Sequence, residues 1–127
     1  MAILNRTLSK AEDVVKDIEA LGGEAAAVQV DVTNAASVNA AHEAVLAKYG
    51  KCDILINGAG GNNPRATTDK EYFEIGDIDA DTKSFFDLGD DDMEFVFNLN
   101  FIGTLLPTQA FARDMICLLY TSPSPRD

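Results

Sequence analysis

The chain has 127 residues, 46% hydrophobic and 24% charged, which sets a ceiling of one ordinary globular domain. Its formal net charge of −11 repels nucleic acid, so a nucleic-acid partner is excluded. No apolar run reaches the length of a membrane span, and Met1–Arg6 lacks a basic segment followed by an apolar core, so neither membrane nor signal peptide is expected and a cytoplasmic setting is.

Met1–Asn5 is a short apolar run that fits a buried strand. Leu8–Leu21 places Val14, Val15, Ile18 and Leu21 at helical spacing, and Gly22-Gly23 supplies the left-handed backbone that ends helices. Glu24–Val30 reads as a second strand. Asn34–Tyr49 reads as a helix, capped by Asn34 and stopped by Gly50. Asp53–Asn57 reads as a third buried strand. Gly58 to about Gly89 is irregular and rich in Gly, Asn, Asp and Thr, and loops of that length are usually functional or disordered. Asp90–Met115 reads as one strong helix, with Asp90, Asp91 and Asp92 at the positive end of its dipole. Strands alternating with helices predict an α/β fold with a parallel sheet.

Three groups along this frame carry chemistry. Arg6 follows the first strand, where dinucleotide-binding folds place an acid for the ribose 2′-hydroxyl or a base for a 2′-phosphate, so the cofactor leans towards NADP over NAD. Asp31-Val32 closes the second strand, where the carboxylate is placed to accept from an adenine amino group or, more blandly, to cap the next helix. Asn57-Gly58-Ala59-Gly60 follows the third strand, and its small residues let backbone approach a ligand at the carboxyl end of a sheet.

Together these residues resemble the short-chain dehydrogenase/reductase family. Asn57-Gly58-Ala59-Gly60 is similar to its Asn-Asn-Ala-Gly element with one substitution, Asp31-Val32 to its adenine-site pair, and Asn100-Phe101-Ile102-Gly103 to its Asn-x-x-Gly helix. The resemblance implies a Rossmann-like doubly wound parallel sheet. It makes Asn100 the match for the catalytic asparagine that holds a water in a proton relay to a lysine. Arg6, Asp31, Val32, Asn57, Gly58, Ala59 and Gly60 become the cofactor side.

Ile56–Thr68, then Ser84–Leu88, both in or at the edge of the long insertion from about residue 60 to 89, and then Phe97–Gln109 resemble the D-mannonate oxidoreductase (fructuronate reductase) branch. That resemblance implies hydride transfer between NAD(P)H and a small-molecule sugar acid, interconverting D-fructuronate and D-mannonate. An anionic sugar acid calls for cationic and hydroxylated contacts. Arg65, Thr67 and Thr68 offer them, with Asn62 and Asn63 beside the nicotinamide. Family members commonly form tetramers, in part through the helix that carries Asn100.

Measured against the family, residues 1–116 correspond to a partial dinucleotide-binding domain. The family's first strand and Gly-rich turn precede the point matching Met1, and its Ser and Tyr-x-x-x-Lys follow residue 116. The expectation is therefore an inactive, marginally folded fragment whose strands face a gap in the sheet. Cys117–Asp127 resembles translated sequencing-adapter DNA and is set aside as a non-native tail. That leaves Cys52 alone, with no disulfide framework and no cysteine metal site.

Other readings remain beside this one. A short-chain reductase for another polyol or a 3-oxoacyl substrate uses the same frame, as does a non-catalytic Rossmann-like binding module. Asp77–Asp81 begins like a calcium loop, but Thr82 and Leu88 stand where Gly and Glu are needed, so no metal is expected. His42, the only histidine, is expected to be exposed and without a partner.

Overall fold

The computed structural model describes residues 1–120, and side chains as far as residue 116; of the tail proposed as non-native, residues 117–120 continue a helix and 121–127 lie outside the described residues. Strand β1 (Ala2–Asn5) and strand β2 (Ala26–Gln29) pair in parallel, with Ala2 opposite Ala26 and Asn5 opposite Gln29. Helix α1 (Leu8–Ala20) makes the crossover and packs on both strands. Its end is a Schellman turn: the Gly23 N–H donates to Ile18 O and the Gly22 N–H to Glu19 O, each at 2.9 Å. Gly22 adopts φ +85°, and a Cβ on Gly23 would meet Ile18 Cγ2 at 2.7 Å. Both glycines of the predicted stop are thus required, one for conformation and one for space.

Helix α2 (Ala35–Tyr49) starts where Asn34 Oδ1 accepts the Ser37 N–H at 2.9 Å, as the sequence predicted. Side chains alternate along a strand, so Leu4 and its register partner Val28 share one face. That face meets Val30, Val38 and Ala41, with Val32, Leu106 and Ala110 packed around them. This small cluster joins the sheet to α2 and to helix α4 (Gly103–Tyr120). The predicted α/β architecture with a parallel sheet is present.

Two predicted elements differ. Asp53–Asn57 is not a strand, because no neighbour offers it a ladder: among the described residues none of its backbone N–H or C=O groups bonds to backbone. Its residues are not buried either, since Ile54 and Ile56 are 80% and 85% exposed. The single helix predicted over Asp90–Met115 is broken. Helix α3 (Asp90–Phe97) runs into a π turn (Asn98–Ile102) before α4 begins. The cause lies in one side chain. Asn100 Nδ2 donates to Val96 O at 2.8 Å, taking the carbonyl that its own backbone N–H would use in an α-helix.

The predicted irregular segment contains three short 3₁₀ turns, Pro64–Ala66, Ile75–Asp79 and Phe85–Asp87. No described helix is long and apolar enough to cross a membrane.

Candidate active site

Asn100 is the centre of the arrangement. Its Nδ2 donates to Gly61 O at 2.7 Å, and its Oδ1 accepts the Gly61 N–H at 3.1 Å. The asparagine therefore grips one residue of the Gly-rich loop, Gly61, through both its N–H and its C=O. Gly60 must lack a side chain for this grip, because a Cβ there would lie 2.9 Å from Asn100 Oδ1. Two turns along α4 the same loop is held again, where Asn57 Nδ2 donates to Thr108 Oγ1 at 3.0 Å. Thr108 and Thr104 return their hydroxyls to the carbonyls of Thr104 and Asn100, at 2.7 and 3.1 Å. Asn100, Thr104 and Thr108 stand four residues apart on one helix face, and residues 57–61 lie across it. Gly58 carries no such constraint, since a Cβ there meets nothing within 4 Å.

Val32 ties the end of β2 to this helix. A Cβ on Gly103 would approach Val32 Cγ2 to 2.9 Å, while Gly103 itself has an ordinary helical φ of −65°. The glycine of the Asn-x-x-Gly pattern serves close packing here, with no demand on conformation. Beside Val32, Asp31 Oδ1 accepts the Thr33 hydroxyl at 2.6 Å and the Thr33 N–H at 2.9 Å. Those two bonds, with a smaller contribution from nearby Arg6, hold the Asp31 carboxyl below the usual carboxylate range. Asp31 does not cap α2, a role that Asn34 takes, so its carboxylate remains an ionised acceptor at the end of β2. Arg6 is exposed, and among the described residues it forms no ion pair.

These features test the fit of a nicotinamide cofactor. An ionised, exposed Asp31 suits an amino donor, and Arg6 beside it suits ribose or phosphate oxygens. The glycine loop brings backbone against Asn100 with no side chain at Gly60 in the way. The residues present fit the group.

The predicted substrate residues form a small scaffold of their own, joined to the site through Gly61. Asn62 Nδ2 donates to Thr67 Oγ1 at 2.9 Å, and the Thr67 hydroxyl donates to Asn63 O at 3.2 Å. Asn63 Oδ1 accepts the Arg65 N–H at 3.0 Å, capping the first 3₁₀ turn. The Arg65 guanidinium pairs through Nε with Asp92 in the first turn of α3, at 3.1 Å, and remains largely exposed. Thr68 Oγ1 donates to Lys70 O at 3.0 Å. Asn62, Asn63, Arg65 and Thr67 lie together; Thr68 lies on the Lys70 side of the insertion.

His42 contradicts its expectation. It is half-buried, its Nε2 lies 2.9 Å from Asp114 Oδ2, and its ring meets Phe111 edge-on. Asp114 also accepts the Cys52 N–H at 3.2 Å. Burial works against the Asp114 carboxylate, but His42 and that N–H outweigh it and hold the carboxyl below its ordinary range. The knot fastens α2 and the start of segment 53–57 to α4. A lone histidine among alanines gave no sign of it, because its partner lies 72 residues away. Thr104 and Thr108 were also missed, although their spacing from Asn100 was a readable signal. Asp77, in the calcium-like stretch, accepts Lys70 Nζ at 2.6 Å and the Glu74 N–H at 2.9 Å.

Comparison with known proteins fits this geometry. The family model for short chain dehydrogenase matches residues 1–121. An uncharacterised oxidoreductase of Haemophilus influenzae is 46% identical over 116 residues, covering 91% of this chain and 40% of that protein. A crystal structure of a candidate D-mannonate oxidoreductase from Haemophilus influenzae, with bound NAD, superposes with a TM-score of 0.85 at 46% identity, over 90% of this chain and 40% of the other. A gluconate 5-dehydrogenase from Burkholderia cenocepacia, with NADP and tartrate, gives a TM-score of 0.69 at 27% identity, over 92% of this chain and 39% of the other. The chain thus spans about 40% of the length of the curated relatives it matches.

Proposed function

The chain belongs to the short-chain dehydrogenase family, and on that premise we propose that it serves an NAD(P)-dependent oxidoreductase acting on a sugar acid, with D-fructuronate and D-mannonate as the pair interconverted. The observation that carries the reading is the match, at 46% identity and a TM-score of 0.85, to the candidate D-mannonate oxidoreductase. A bound nicotinamide supplies or accepts the hydride.

The residues of this chain bind and position. Asp31 accepts from the adenine end, and Arg6 beside it favours a 2′-phosphate, hence NADP. Asn57, Gly58, Ala59 and Gly60 present backbone to the cofactor. Asn100 sets the height of that loop through Gly61 and belongs to the proton-relay position. Its amide is engaged with Gly61 and Val96, so its part in the relay is positional as much as chemical. Asn62, Asn63, Arg65, Thr67 and Thr68 form the sugar-acid side, where the outward guanidinium of Arg65 meets the carboxylate. A cytoplasmic homotetramer is the assembly this reading implies.

The test is to express the reading frame that contains these codons and follow NADH and NADPH oxidation with D-fructuronate, other keto-polyols and a 3-oxoacyl thioester. The reading predicts turnover with the sugar acid. Preference for the thioester, or no nicotinamide oxidation with any of them, contradicts it. Arg6→Ala is expected to weaken NADPH binding roughly tenfold, with NADH little changed. Equal loss for both cofactors removes the case for NADP.

A further inference from the structure

Asp92 is where the insertion is fastened to α3. Its Oδ1 lies 3.1 Å from Arg65 Nε and accepts Asn63 Nδ2 at 3.3 Å. Asn63 in turn takes the Arg65 N–H on its own Oδ1 at 3.0 Å. One carboxylate thus holds Arg65 twice, the guanidinium directly and the backbone through Asn63. The two partners are unlike: the Asp92 side chain is 23% exposed, in the first turn of α3, while that of Arg65 is 76% exposed. Further along the same helical run, Asn100 grips Gly61. Residues 61 to 65 are therefore tied at both ends to α3 and the π turn that follows it. A free arginine gives up rotamer freedom when it binds an anion, which weakens the binding; a fixed one has given it up already.

We propose that Asp92 is a positioning residue for the substrate: it fixes the Arg65 guanidinium, and with it the place where the sugar acid's carboxylate is held relative to Asn100. The proposal rests on the sugar-acid reading above, which gives Arg65 its ligand. An ion pair between two solvated, flexible side chains would carry little. This one joins a carboxylate on a helix to the 3₁₀ turn Pro64–Ala66, against which α3 packs. Its charge works in the other direction. A carboxylate beside an anion site repels the anion, so by charge alone the loss of Asp92 would tighten binding. By position, the loss of Asp92 frees the guanidinium and loosens binding. The two roles therefore differ in sign.

Steady-state kinetics on the reading frame that contains these codons test that sign. Asp92→Ala should raise the KM for D-fructuronate roughly tenfold, with kcat and the KM of the nicotinamide within about twofold. Asp92→Asn, which keeps an oxygen for Asn63, should raise it less. Adding Asp92→Ala to Arg65→Ala should cost nothing further, because the guanidinium it positions is gone. Proton NMR on the 127-residue chain reads the positioning itself: the Arg65 Nε–H resonance should be resolved in the wild type and move to that of a free arginine in Asp92→Ala. A KM lowered or unchanged by Asp92→Ala, where Arg65→Ala raises it, overturns the proposal and leaves the sugar-acid reading standing. So do losses that add in the double variant, a loss shared equally by kcat and the nicotinamide KM, or a wild-type Arg65 resonance already at the free position. If the wild type turns over no sugar acid, that reading fails and this role fails with it.

Discussion

The α/β unit of β1, α1, β2, α2 and α4 differs in kind from the insertion between Gly61 and Gly89. In the first, Val30, Val38, Ala41, Val45 and Phe111 are buried, and backbone ladders and helices satisfy the polar groups. In the second, the buried side chains are polar, Asp77 and Ser84, while Tyr72, Phe73, Ile75, Phe85 and Phe86 face outwards. The insertion is built from side-chain caps: Asn63 on the Arg65 N–H, Asp77 on the Glu74 N–H, Asp87 on the Ser84 N–H, and Asp69 on the Lys83 N–H. One region is held by removing apolar surface from water, the other by local hydrogen bonds worth about 1 kcal/mol each. The first gives a stable platform for Asn100 and Asp31. The second gives a segment whose shape follows its polar contacts, which suits a part that recognises a polar substrate.

Changes to the two regions should therefore differ in size and reach. The largest effect is expected at Val38, which is 2% exposed at the centre of the cluster. Val38→Ala should cost about 2.5 kcal/mol and lower the thermal midpoint of the whole α/β unit. Gly103→Ala forces a Cβ to 2.9 Å from Val32 Cγ2. Crowding of about 2 kcal/mol against about 1 kcal/mol of helix propensity predicts a net loss near 1 kcal/mol. Val32→Ala in the same chain should relieve the crowding, which a double-mutant cycle by chemical denaturation would show.

Acid should separate the regions next. Backbone and side-chain bonds hold the Asp77 and Asp87 carboxyls below their ordinary range: Lys70 and the Glu74 N–H for Asp77, the Ser84 N–H and hydroxyl for Asp87. A carboxyl depressed in the folded state stabilises above its unfolded value of about 3.9, and that stabilisation is lost as pH falls through the folded value. Titration below about pH 4 should thus release the insertion while the apolar cluster persists. Asp114 follows the same sign, so its knot with His42 and Cys52 should weaken in the same window while the apolar cluster still joins α2 to α4. Residue-resolved proton NMR across the titration checks both. The smallest effect belongs to Arg65→Ala. Its ion pair is 76% exposed on the arginine side, so stability should change by no more than about 0.5 kcal/mol. A large loss would mean that Arg65 is structural and would weaken its assignment to substrate.

Legibility in the sequence follows the same division. Strand β1, both capped helices and the parallel crossover could be read because their signals are local: an apolar run, a helical period, Asn34 as a cap, Gly22 and Gly50 as stops. Asp53–Asn57 carries an equally clear strand signal and yet forms none, because a strand depends on a neighbour that the segment itself does not specify. The π turn was hidden for another reason. Helical periodicity runs unbroken through Asn98–Ile102, and only the side chain of Asn100 reaching Val96 O diverts it. In the site, Asn57, Gly60 and Asn100 were readable as pieces of a pattern. The grip of Asn100 on Gly61, and the knot of His42, Asp114 and Cys52, join residues 39, 72 and 62 positions apart, and no local signal carries such distances.

Native-state hydrogen exchange under rising denaturant tests the contrast most directly, since it reports opening free energies amide by amide. The account predicts that amides of β2 and α2 exchange only on global unfolding. Those of Ala66, Asp77 and Asp87 should exchange through local openings that cost far less and hardly respond to denaturant. The Gly61 amide, gripped by Asn100, should follow the platform and not the insertion. If the insertion amides share the slope and free energy of α2, the two regions are one cooperative unit and the division drawn here is wrong.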